Sequence, residues 1–498
     1  MEIKQQQRTL AAWQNFLSTS LDEELQKSVN ADAQVAALAL FNNVIASVPA
    51  YRDFLQQQGI ESATIQTAAD FQSLPLTTKA NYLQKYPLPQ LCRDGKLSSC
   101  DMIAVSSGST GKPSFWSRFI SDELPITRRF EQIFCDSFNA DTKSTLAVVC
   151  FTLGTWVGGM YTTSCCRHLA AKGYPVTVIT PGSNKTEIFR VVQDLAPNFD
   201  QVVLLGYPPF LKDVIDSGRA ENIPWQDYAL KLVMAGEVFS EEWRTLVGER
   251  IDSTNFCYDS ASLYGTADAG VLGNETPLSI CIRRFLANNP EAARTLFGES
   301  RLPTLVQYDP LSRYFETVDG TLLFSGDNGI PLLRYHISDT GGIITYDDML
   351  EFLAQYNFNP LTELGNRGVY QLPFVYVFGR SHFTVSYFGA NIYPENVMVG
   401  LEQPQIREWV TGKFVMEVKE DQDYNSFLSI VVELAPQIAA SEDKKEAIAH
   451  SIRTQLLRLN SEFANYVPHA AQTPQITLRD TGDSEYFPRG VKHRYTRR

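Results

Sequence analysis

The chain has 498 residues, of which 44% are hydrophobic and 20% are charged, as in globular rather than disordered proteins. This length is sufficient for a large core and for more than one domain. The net charge of −13 argues against the basic surface that nonspecific nucleic-acid binding requires, so we expect no nucleic acid among the partners.

The first residues lack the apolar run of a signal peptide. The most apolar segment, 146–161, is too short and too rich in Thr and Gly to span a membrane. The eight cysteines show no Cys-x-x-Cys spacing, which favours buried thiols over disulfides or a zinc site. We therefore expect a cytoplasmic protein with no membrane partner.

Residues 8–60 are predicted to be helical, because Leu10, Trp13 and Phe16 fall on one helical face. The segment 47–51 contains a proline and is predicted to end this region.

From residue 101 to about 340, short apolar strands alternate with helical segments, a pattern typical of α/β layering. The predicted strands are 102–105, 146–151, 176–180, 202–205 and 232–235, and the predicted helices are 157–171 and 240–247. Residues 325–329 are predicted to form a tight turn and nothing more.

After residue 395 the composition changes. The segments 414–418 and 427–432 alternate around an acidic turn, which predicts a β-hairpin. An amphipathic helix over 444–463 and a strand over 476–478 follow. These elements fit a small α+β domain of about 110 residues.

A candidate phosphate-binding loop follows the first predicted strand. Its glycines let the backbone approach a ligand, and its backbone N–H groups, hydroxyls and single lysine suit an anion. An ordinary Ser/Gly turn remains an alternative. The residues are Ser106, Ser107, Gly108, Ser109, Thr110, Gly111 and Lys112.

This loop differs from the phosphate loop of nucleoside triphosphatases, which has four residues between its glycines and leads into a helix. Only two residues separate Gly108 from Gly111, and Pro113 keeps Lys112 away from helical geometry. We therefore predict a loop between strands and disfavour that class of enzyme.

A Ser/Thr/Gly run closed by Gly-Lys-Pro resembles the phosphate loop of the adenylate-forming superfamily, which includes acyl-CoA ligases. Two earlier elements, 48–51 and 74–79, resemble the phenylacetate–CoA ligase-like branch. The resemblance implies an α/β fold with a large N-terminal AMP-binding domain, residues 1–379, and a smaller α+β C-terminal lid domain, residues 380–498.

The resemblance assigns Gly236 and Glu237 to the vicinity of the nucleotide, although a turn before the helix starting at Ser240 would also explain them. It also assigns a nucleotide-binding motif to a later strand end. This motif comprises Tyr264, expected against adenine, then Gly265, Thr266, Ala267 and Asp268, which is expected to hold Mg²⁺.

The family has Thr and Glu where this chain has Ala267 and Asp268. Asp268 keeps a hard oxygen ligand. Thr266 is expected to replace the lost hydroxyl, and a Gly turn with a surface Asp is the alternative.

The segment 334–342 resembles the family's Tyr-Arg-x-x-Asp motif, which makes Asp339 the expected acceptor for the ribose hydroxyls. His336 is expected to be structural. Arg380 is expected to reach the ribose or phosphates. The family's acidic hinge pair is replaced by His382 and Phe383, and the resemblance puts the hinge at His382.

The resemblance makes Lys492 the expected catalytic lysine, together with Asp268 as the second catalytic residue. Arg489 is the second choice for the lysine's role, and a solvated basic tail is the alternative.

The implied reaction uses ATP and Mg²⁺ to convert a carboxylic acid to an acyl-adenylate, which then passes to coenzyme A with release of AMP. Transfer to an amine, a hydroxyl or a carrier thiol, and nucleotide binding without turnover, remain alternatives. A homodimer is also left open. An aryl or arylacetic acid is favoured by aromatic and glycine residues where the family's acyl pocket lies. These are Phe151, Trp156, Gly158, Gly159 and Tyr207.

Overall fold

The computed structural model describes most of the chain, as ranges separated by short gaps. These ranges are 2–98, 100–105, 114–155, 157–299, 302–365, 367–379, 385–388, 390–420, 426–460, 463–464, 467–488 and 493–496.

The α-helices are α1 Glu2–Ser18, α2 Leu21–Val29, α3 Ala33–Ser47, α4 Pro49–Gln57, α5 Ala68–Ser73, α6 Leu88–Leu91, α7 Ile120–Gln132, α8 Val157–Lys172, α9 Lys185–Leu195, α10 Pro208–Ala220, α11 Glu241–Arg250, α12 Phe256–Asp259, α13 Pro277–Asn288, α14 Pro290–Phe297, α15 Tyr346–Ala354, α16 Pro360–Leu364, α17 Pro394–Leu401 and α18 Glu442–Leu459.

The strands are β1 Met102–Val105, β2 Phe115–Arg118, β3 Thr145–Val149, β4 Val176–Ile179, β5 Gln201–Gly206, β6 Lys231–Ala235, β7 Ser260–Thr266, β8 Gly270–Asn274, β9 Thr304–Gln307, β10 Arg313–Val318, β11 Thr321–Gly326, β12 Leu332–Ile344, β13 Phe374–Gly379, β14 Val385–Tyr387, β15 Ala390–Ile392, β16 Val410–Glu420, β17 Ser426–Leu434 and β18 Gln475–Arg479.

The N-terminal region is helical, as predicted, but Pro49 begins a helix rather than ending the region. Helix α3 ends at Ser47, and Pro49 then occupies the first turn of α4. Proline is favoured there because the first backbone N–H groups of a helix have no intrahelical acceptor.

An eleven-stranded mixed sheet organises the N-terminal part, residues 2–379. Its order is β10-β11-β12-β13-β9-β8-β7-β6-β5-β3-β4. The pairs from β4 to β7 are parallel, and the pairs from β7 to β10 are antiparallel. The alternating strands and helices identified in the sequence form the parallel half, and the predicted α/β fold class is confirmed.

Successive residues of the parallel strands point to opposite faces of the sheet. Ala147 and Val149 of β3 pack in one hydrophobic cluster with residues of α7 and α8. Leu146 and Val148 pack in another, with residues of α9 and α10. Both faces are therefore covered, which explains why these strands are continuous apolar runs.

Strands β1 and β2 form a separate antiparallel pair, with Val105 opposite Phe115. The candidate phosphate loop thus joins two strands, as predicted, rather than a strand and a helix.

The turn at 325–329 has a larger role than the sequence indicated. Asp327 accepts hydrogen bonds from Arg8, at 2.8 Å, and from Arg93. Oδ1 of Asn328 accepts one from Arg313 at 3.0 Å. The turn therefore links α1 and the segment around Arg93 to the sheet.

The C-terminal part, residues 385–496, has its own sheet, β16-β17-β18, and its own hydrophobic cluster. The predicted hairpin is β16 with β17, and α18 covers it. Residues of the N-terminal part are absent from the cluster as the described residues define it.

The eight cysteines are free thiols, five of them buried and three half-buried. Among the described residues, no single helix has the length and apolarity to cross a membrane, although the bent pair of α3 and α4 passes that test together.

Candidate active site

The ends of two neighbouring parallel strands bring two of the predicted motifs together. Strands β6 and β7 pair in parallel, with Ala235 opposite Leu263. Gly236 and Glu237 follow the end of β6, and Tyr264 lies one residue beyond Leu263. Carboxyl ends of parallel strands meet at one edge of the sheet, so these residues share that edge.

Asp339 on β12 also reaches this edge, although three strands, β13, β9 and β8, lie between β12 and β7 in the sheet order. The Tyr264 hydroxyl donates a hydrogen bond of 2.8 Å to Oδ2 of Asp339. Ser338, immediately before Asp339, has a φ of 67°, which non-glycine residues adopt rarely. The structure therefore joins the residues predicted to contact adenine and ribose.

Asp268 lies in the turn between β7 and β8 and is 9% exposed. The Tyr335 hydroxyl donates a hydrogen bond of 2.6 Å to its Oδ2. Oγ1 of Thr266 accepts the backbone N–H of Ala269 at 3.1 Å, a contact that leaves the hydroxyl proton as a donor. The turn is thus closed on itself, with the carboxylate oriented by a buried tyrosine.

Two buried arginines that the sequence analysis missed donate hydrogen bonds to backbone carbonyls of this turn. Arg118 on β2 donates to the carbonyl of Ala267, and Arg313 on β10 donates to that of Ala269 at 3.2 Å. Burial lowers the pKa of Arg313. The only sequence signal was an arginine within an apolar strand, which demands a polar partner in the interior.

The 74–79 element, identified through the resemblance, lies against β12. Thr77 donates from its Oγ1 to the carbonyl of Leu333 at 2.8 Å, and its backbone pairs with Arg334 and His336. The element therefore fixes the strand that carries Asp339. Nε2 of His336 contacts Oγ1 of Thr321 at 2.9 Å, in agreement with the structural role expected for it.

An aromatic corner lies beside Gly236. The rings of Phe151 and Tyr207 meet edge to face with centroids 5.0 Å apart. A Cβ on Gly158 would stand 3.6 Å from the Phe151 ring and 3.6 Å from the Tyr207 hydroxyl, and a Cβ on Gly236 would stand 2.8 Å from the Tyr207 ring. Burial, followed by the nearby Glu237, raises the pKa of Tyr207. Four of the five residues predicted for the acyl pocket can be located, and three of them meet here.

The loop between β6 and α11, residues 236–240, receives two contacts from the C-terminal part. The Tyr495 hydroxyl donates a hydrogen bond of 2.8 Å to Oε2 of Glu237. Ser240 donates to Oε2 of Glu402 while it also caps α11, as predicted, by accepting from the N–H of Trp243.

Both contacts are part-buried, and Glu402 is the most buried of their four residues. Burial, followed by the charge on Glu237, raises the pKa of Tyr495 well above its usual value. Burial also raises the pKa of Glu402 to about 8. Burial therefore favours the neutral form of Glu402, which suits its contact with the uncharged hydroxyl of Ser240.

Several predicted site residues lie outside the described residues. These are Ser106, Ser107, Gly108, Ser109, Thr110, Gly111, Lys112, Trp156, Arg380, His382, Phe383, Arg489 and Lys492. Their described neighbours are Val105 and Ser114, Gly379 at the end of β13, and His493.

The described residues contain no group of three His, Cys, Asp or Glu side chains that would form a protein metal site. A single oriented carboxylate such as Asp268 suits Mg²⁺ in the manner of nucleotide sites, where phosphates and waters complete the coordination.

No family model matches the chain. A phenylacetate-coenzyme A ligase of Thermus thermophilus is 21% identical over 357 residues, which cover 71% of this chain and 71% of that protein. A crystal structure of 2-hydroxyisobutyryl-CoA ligase in the postadenylation state, with R3-HIB-AMP, has a TM-score of 0.65, at 13% identity, and covers 96% of this chain and 90% of that one.

An open conformation of the same ligase, with 2-HIB-AMP and CoA, has a TM-score of 0.53 at 13% identity, and covers 94% of this chain and 90% of that one. The likeness extends over both parts of the chain. It confirms the fold expected from the motifs.

Proposed function

We propose, from the premise that this chain has the fold of the adenylate-forming ligases, that it activates a carboxylic acid with ATP and transfers the acyl group to coenzyme A. The first step forms an acyl-adenylate and releases pyrophosphate. In the second, the thiol of coenzyme A attacks the acyl carbonyl and AMP leaves.

One observation carries this proposal. The Tyr264–Asp339 hydrogen bond joins two motifs that are 75 residues apart in sequence. A second such bond, from Tyr335 to Asp268, orients the candidate metal ligand. The Tyr264 ring, the Asp339 carboxylate proposed for the ribose and the Asp268 carboxylate proposed for Mg²⁺ therefore lie at one edge of the sheet. A bound nucleotide requires these three groups on one side.

The first step brings a carboxylate against a phosphate, so catalysis depends on positioning and on neutralisation of negative charge. Asp339 and Arg380 hold the ribose, and the loop 106–112 holds the leaving pyrophosphate. Asp268 holds Mg²⁺, which supplies positive charge to the phosphates when bound. Lys492 contacts the carboxylate and the α-phosphate, so that both negative partners approach one cation.

We propose that the domain boundary lies between residues 379 and 380 and that the C-terminal part acts as the lid. The last strand of the large sheet ends at Gly379, and the separate hydrophobic cluster begins at Val385. A turn of the lid about this boundary, near His382, would remove Lys492 from the site and admit the acyl acceptor.

The acceptor and acid are inferred from chemistry and from similar proteins. Coenzyme A appears in the names of the phenylacetate-coenzyme A ligase and of the 2-hydroxyisobutyryl-CoA ligase. The aromatic corner of Phe151 and Tyr207, with Gly158 leaving room beside it, favours a flat apolar acid such as an aryl or arylacetic acid.

The test is ATP–pyrophosphate exchange with phenylacetate, benzoate, 2-hydroxyisobutyrate and a set of further carboxylic acids, with and without Mg²⁺. We expect acid-dependent exchange that needs Mg²⁺, followed by AMP release when coenzyme A is added. Lys492→Ala should abolish exchange while ATP binding persists.

Exchange without release of AMP on addition of coenzyme A would move the acceptor to an amine, a hydroxyl or a carrier thiol. Measurable ATP binding with no exchange for any acid would favour a nucleotide-binding protein without turnover. Full exchange in Lys492→Ala would contradict the role given to that lysine.

A further inference from the structure

The C-terminal segment 493–496 is held on the lid by backbone pairing. The N–H of Met416 on β16 donates to the carbonyl of Tyr495 at 2.8 Å, and Met416 and Thr496 form a parallel bridge. Nε2 of His493 contacts the carbonyl of Phe414 at 2.7 Å. The segment therefore moves with β16.

The side chain of Tyr495 reaches beyond the lid. Its ring packs against Phe414, with centroids 5.0 Å apart, and against His493 at 4.6 Å. Its hydroxyl meets Glu237 of the N-terminal part. Glu237 immediately follows Gly236, whose Cα faces the ring of Tyr207 in the aromatic corner. The contact thus lies between the lid and the candidate acyl and nucleotide sites.

The covalent chain links this contact to the expected catalytic lysine. Two residues, His493 and Arg494, lie between Lys492 and Tyr495, so the two Cα atoms are at most about 11 Å apart. A lid position that keeps Tyr495 on Glu237 therefore keeps Lys492 close to the edge that carries Glu237, Tyr264 and Asp339.

We propose that Tyr495 is a positioning residue whose hydrogen bond to Glu237 docks the lid for adenylation and must break before acyl transfer. This inference rests on the proposed function. It assigns to Tyr495 a role in the adenylation half-reaction, in which the residue does not touch the reacting atoms. Glu402 and Ser240 supply a second contact on the same loop. The loop 236–240 is therefore one docking element for the lid, beside the ion pairs of Arg250 with Glu408 and of Arg407 with Glu249.

The test compares Tyr495→Phe with Tyr387→Phe. Each variant removes one part-buried tyrosine hydroxyl of the lid, but the Tyr387 hydroxyl donates within the lid, to the carbonyl of Ala471 at 2.9 Å. Tyr387→Phe therefore controls for lid stability. Three quantities are measured on the full chain: hydrogen exchange of the amides in 236–240, ATP–pyrophosphate exchange, and thioester formation from synthetic phenylacetyl-adenylate and coenzyme A.

We expect Tyr495→Phe to speed amide exchange in 236–240. The kcat of ATP–pyrophosphate exchange should fall about 10-fold or more, the factor expected for loss of a hydrogen bond to a charged group. The KM for ATP and thioester formation from the supplied adenylate should stay within about twofold, because docking is absent from that half-reaction. In a Glu237→Ala background, Tyr495→Phe should add no further effect.

Unchanged amide exchange in 236–240, an equal loss in both half-reactions, or the same loss in Tyr387→Phe would overturn the inference. Failure of the proposed function has a different signature. In that case the wild-type protein shows neither ATP–pyrophosphate exchange with any acid nor thioester formation, while the amides of 236–240 still lose protection in Tyr495→Phe.

Discussion

The Tyr264 hydroxyl lies 2.8 Å from Oδ2 of Asp339 and joins β7 to β12, two strands that do not pair with each other. A carboxylate oxygen accepts more than one hydrogen bond, so Asp339 retains capacity for the hydroxyls of a ribose. Tyr264 therefore orients the Asp339 carboxylate and takes up only part of its capacity to accept hydrogen bonds.

Discrimination between ribose and deoxyribose should depend on Asp339. We expect the wild-type protein to show a KM for 2′-deoxy-ATP about 10-fold above that for ATP, because a hydrogen bond to a charged group is lost. Asp339→Ala should bring this ratio close to one in ATP–pyrophosphate exchange. Asp200→Asn is the matched control, since Asp200 precedes β5 at the opposite edge of the sheet and binds Ser144. A ratio unchanged in Asp339→Ala would exclude ribose contact by this residue.

The Mg²⁺ requirement should depend on Tyr335. Outer partners of metal ligands commonly change metal affinity 10–100-fold when removed. Tyr335→Phe deletes the donor to Asp268, so the Mg²⁺ concentration for half-maximal exchange should rise about 10-fold. Tyr308→Phe, at another buried tyrosine of the same hydrophobic cluster, should leave that concentration unchanged. Equal Mg²⁺ curves for the wild type and Tyr335→Phe would remove Asp268 from the metal site.

The adjacent glycines of α8 should respond differently to alanine. A Cβ on Gly159 would lie 2.5 Å from the carbonyl oxygen of Thr152, a backbone atom, so Gly159→Ala should lower the free energy of unfolding by about 1–3 kcal/mol. A Cβ on Gly158 would make ordinary contacts with Phe151 and Tyr207. Gly158→Ala should therefore keep the wild-type stability in thermal denaturation.

Gly158→Ala should instead raise the KM for bulky aryl acids relative to small ones, because it narrows the aromatic corner. The panel of carboxylic acids measures this shift directly. Uniform KM changes across the panel, or none, would place the acyl pocket elsewhere.

Docking of the lid should weaken as the pH rises. Burial, reinforced by Glu242, raises the pKa of Glu402 to about 8, while Ser240, Lys212 and Arg283 act in the opposite direction. Exposed in an undocked lid, the same carboxyl would titrate near 4.5. Docking then takes up a proton between these values, so its stabilisation is complete below about pH 4.5 and is lost as the pH rises through about 8.

Amide exchange in 236–240, measured from pH 5 to 9 and corrected for the intrinsic pH dependence, reports this effect. The protection should fall by up to about tenfold per pH unit within the window. Glu402→Gln keeps a neutral side chain at every pH and should flatten the profile. If Glu402→Gln retains the wild-type slope, another group controls the pH dependence.

The parallel half of the large sheet could be predicted from sequence because its strands are uninterrupted apolar runs. Val202 to Leu205, for example, is buried on both faces. The antiparallel half is harder to predict. Strand β12 is 13 residues long, contains polar residues, and has backbone φ values of 44° at Arg334 and 67° at Ser338. Its course depends on Thr77, about 260 residues earlier in the chain, which no local pattern reveals.

The candidate site divides in the same way. Residues with a motif, such as Asp268 and Asp339, could be assigned through the resemblance. The arginines that support the turn at Asp268 could not be assigned from sequence. Arg118 and Arg313 act through single hydrogen bonds to backbone carbonyl groups, which any turn provides. Tyr495 was missed for a related reason. Its partner Glu237 lies 258 positions away, and a tyrosine in a basic segment gives no sign of burial.

The packed position of Tyr495 also bears on how this protein is handled in the laboratory. A purification tag or fluorescent fusion joined after Arg498 would start two residues beyond a segment that pairs with β16 and contacts the loop 236–240. A fusion ahead of α1 avoids that packed surface. Activity assays should therefore begin with N-terminally tagged protein. A C-terminal fusion that disturbs this packing would be inactive, and its inactivity would be mistaken for a lack of catalysis in the protein itself.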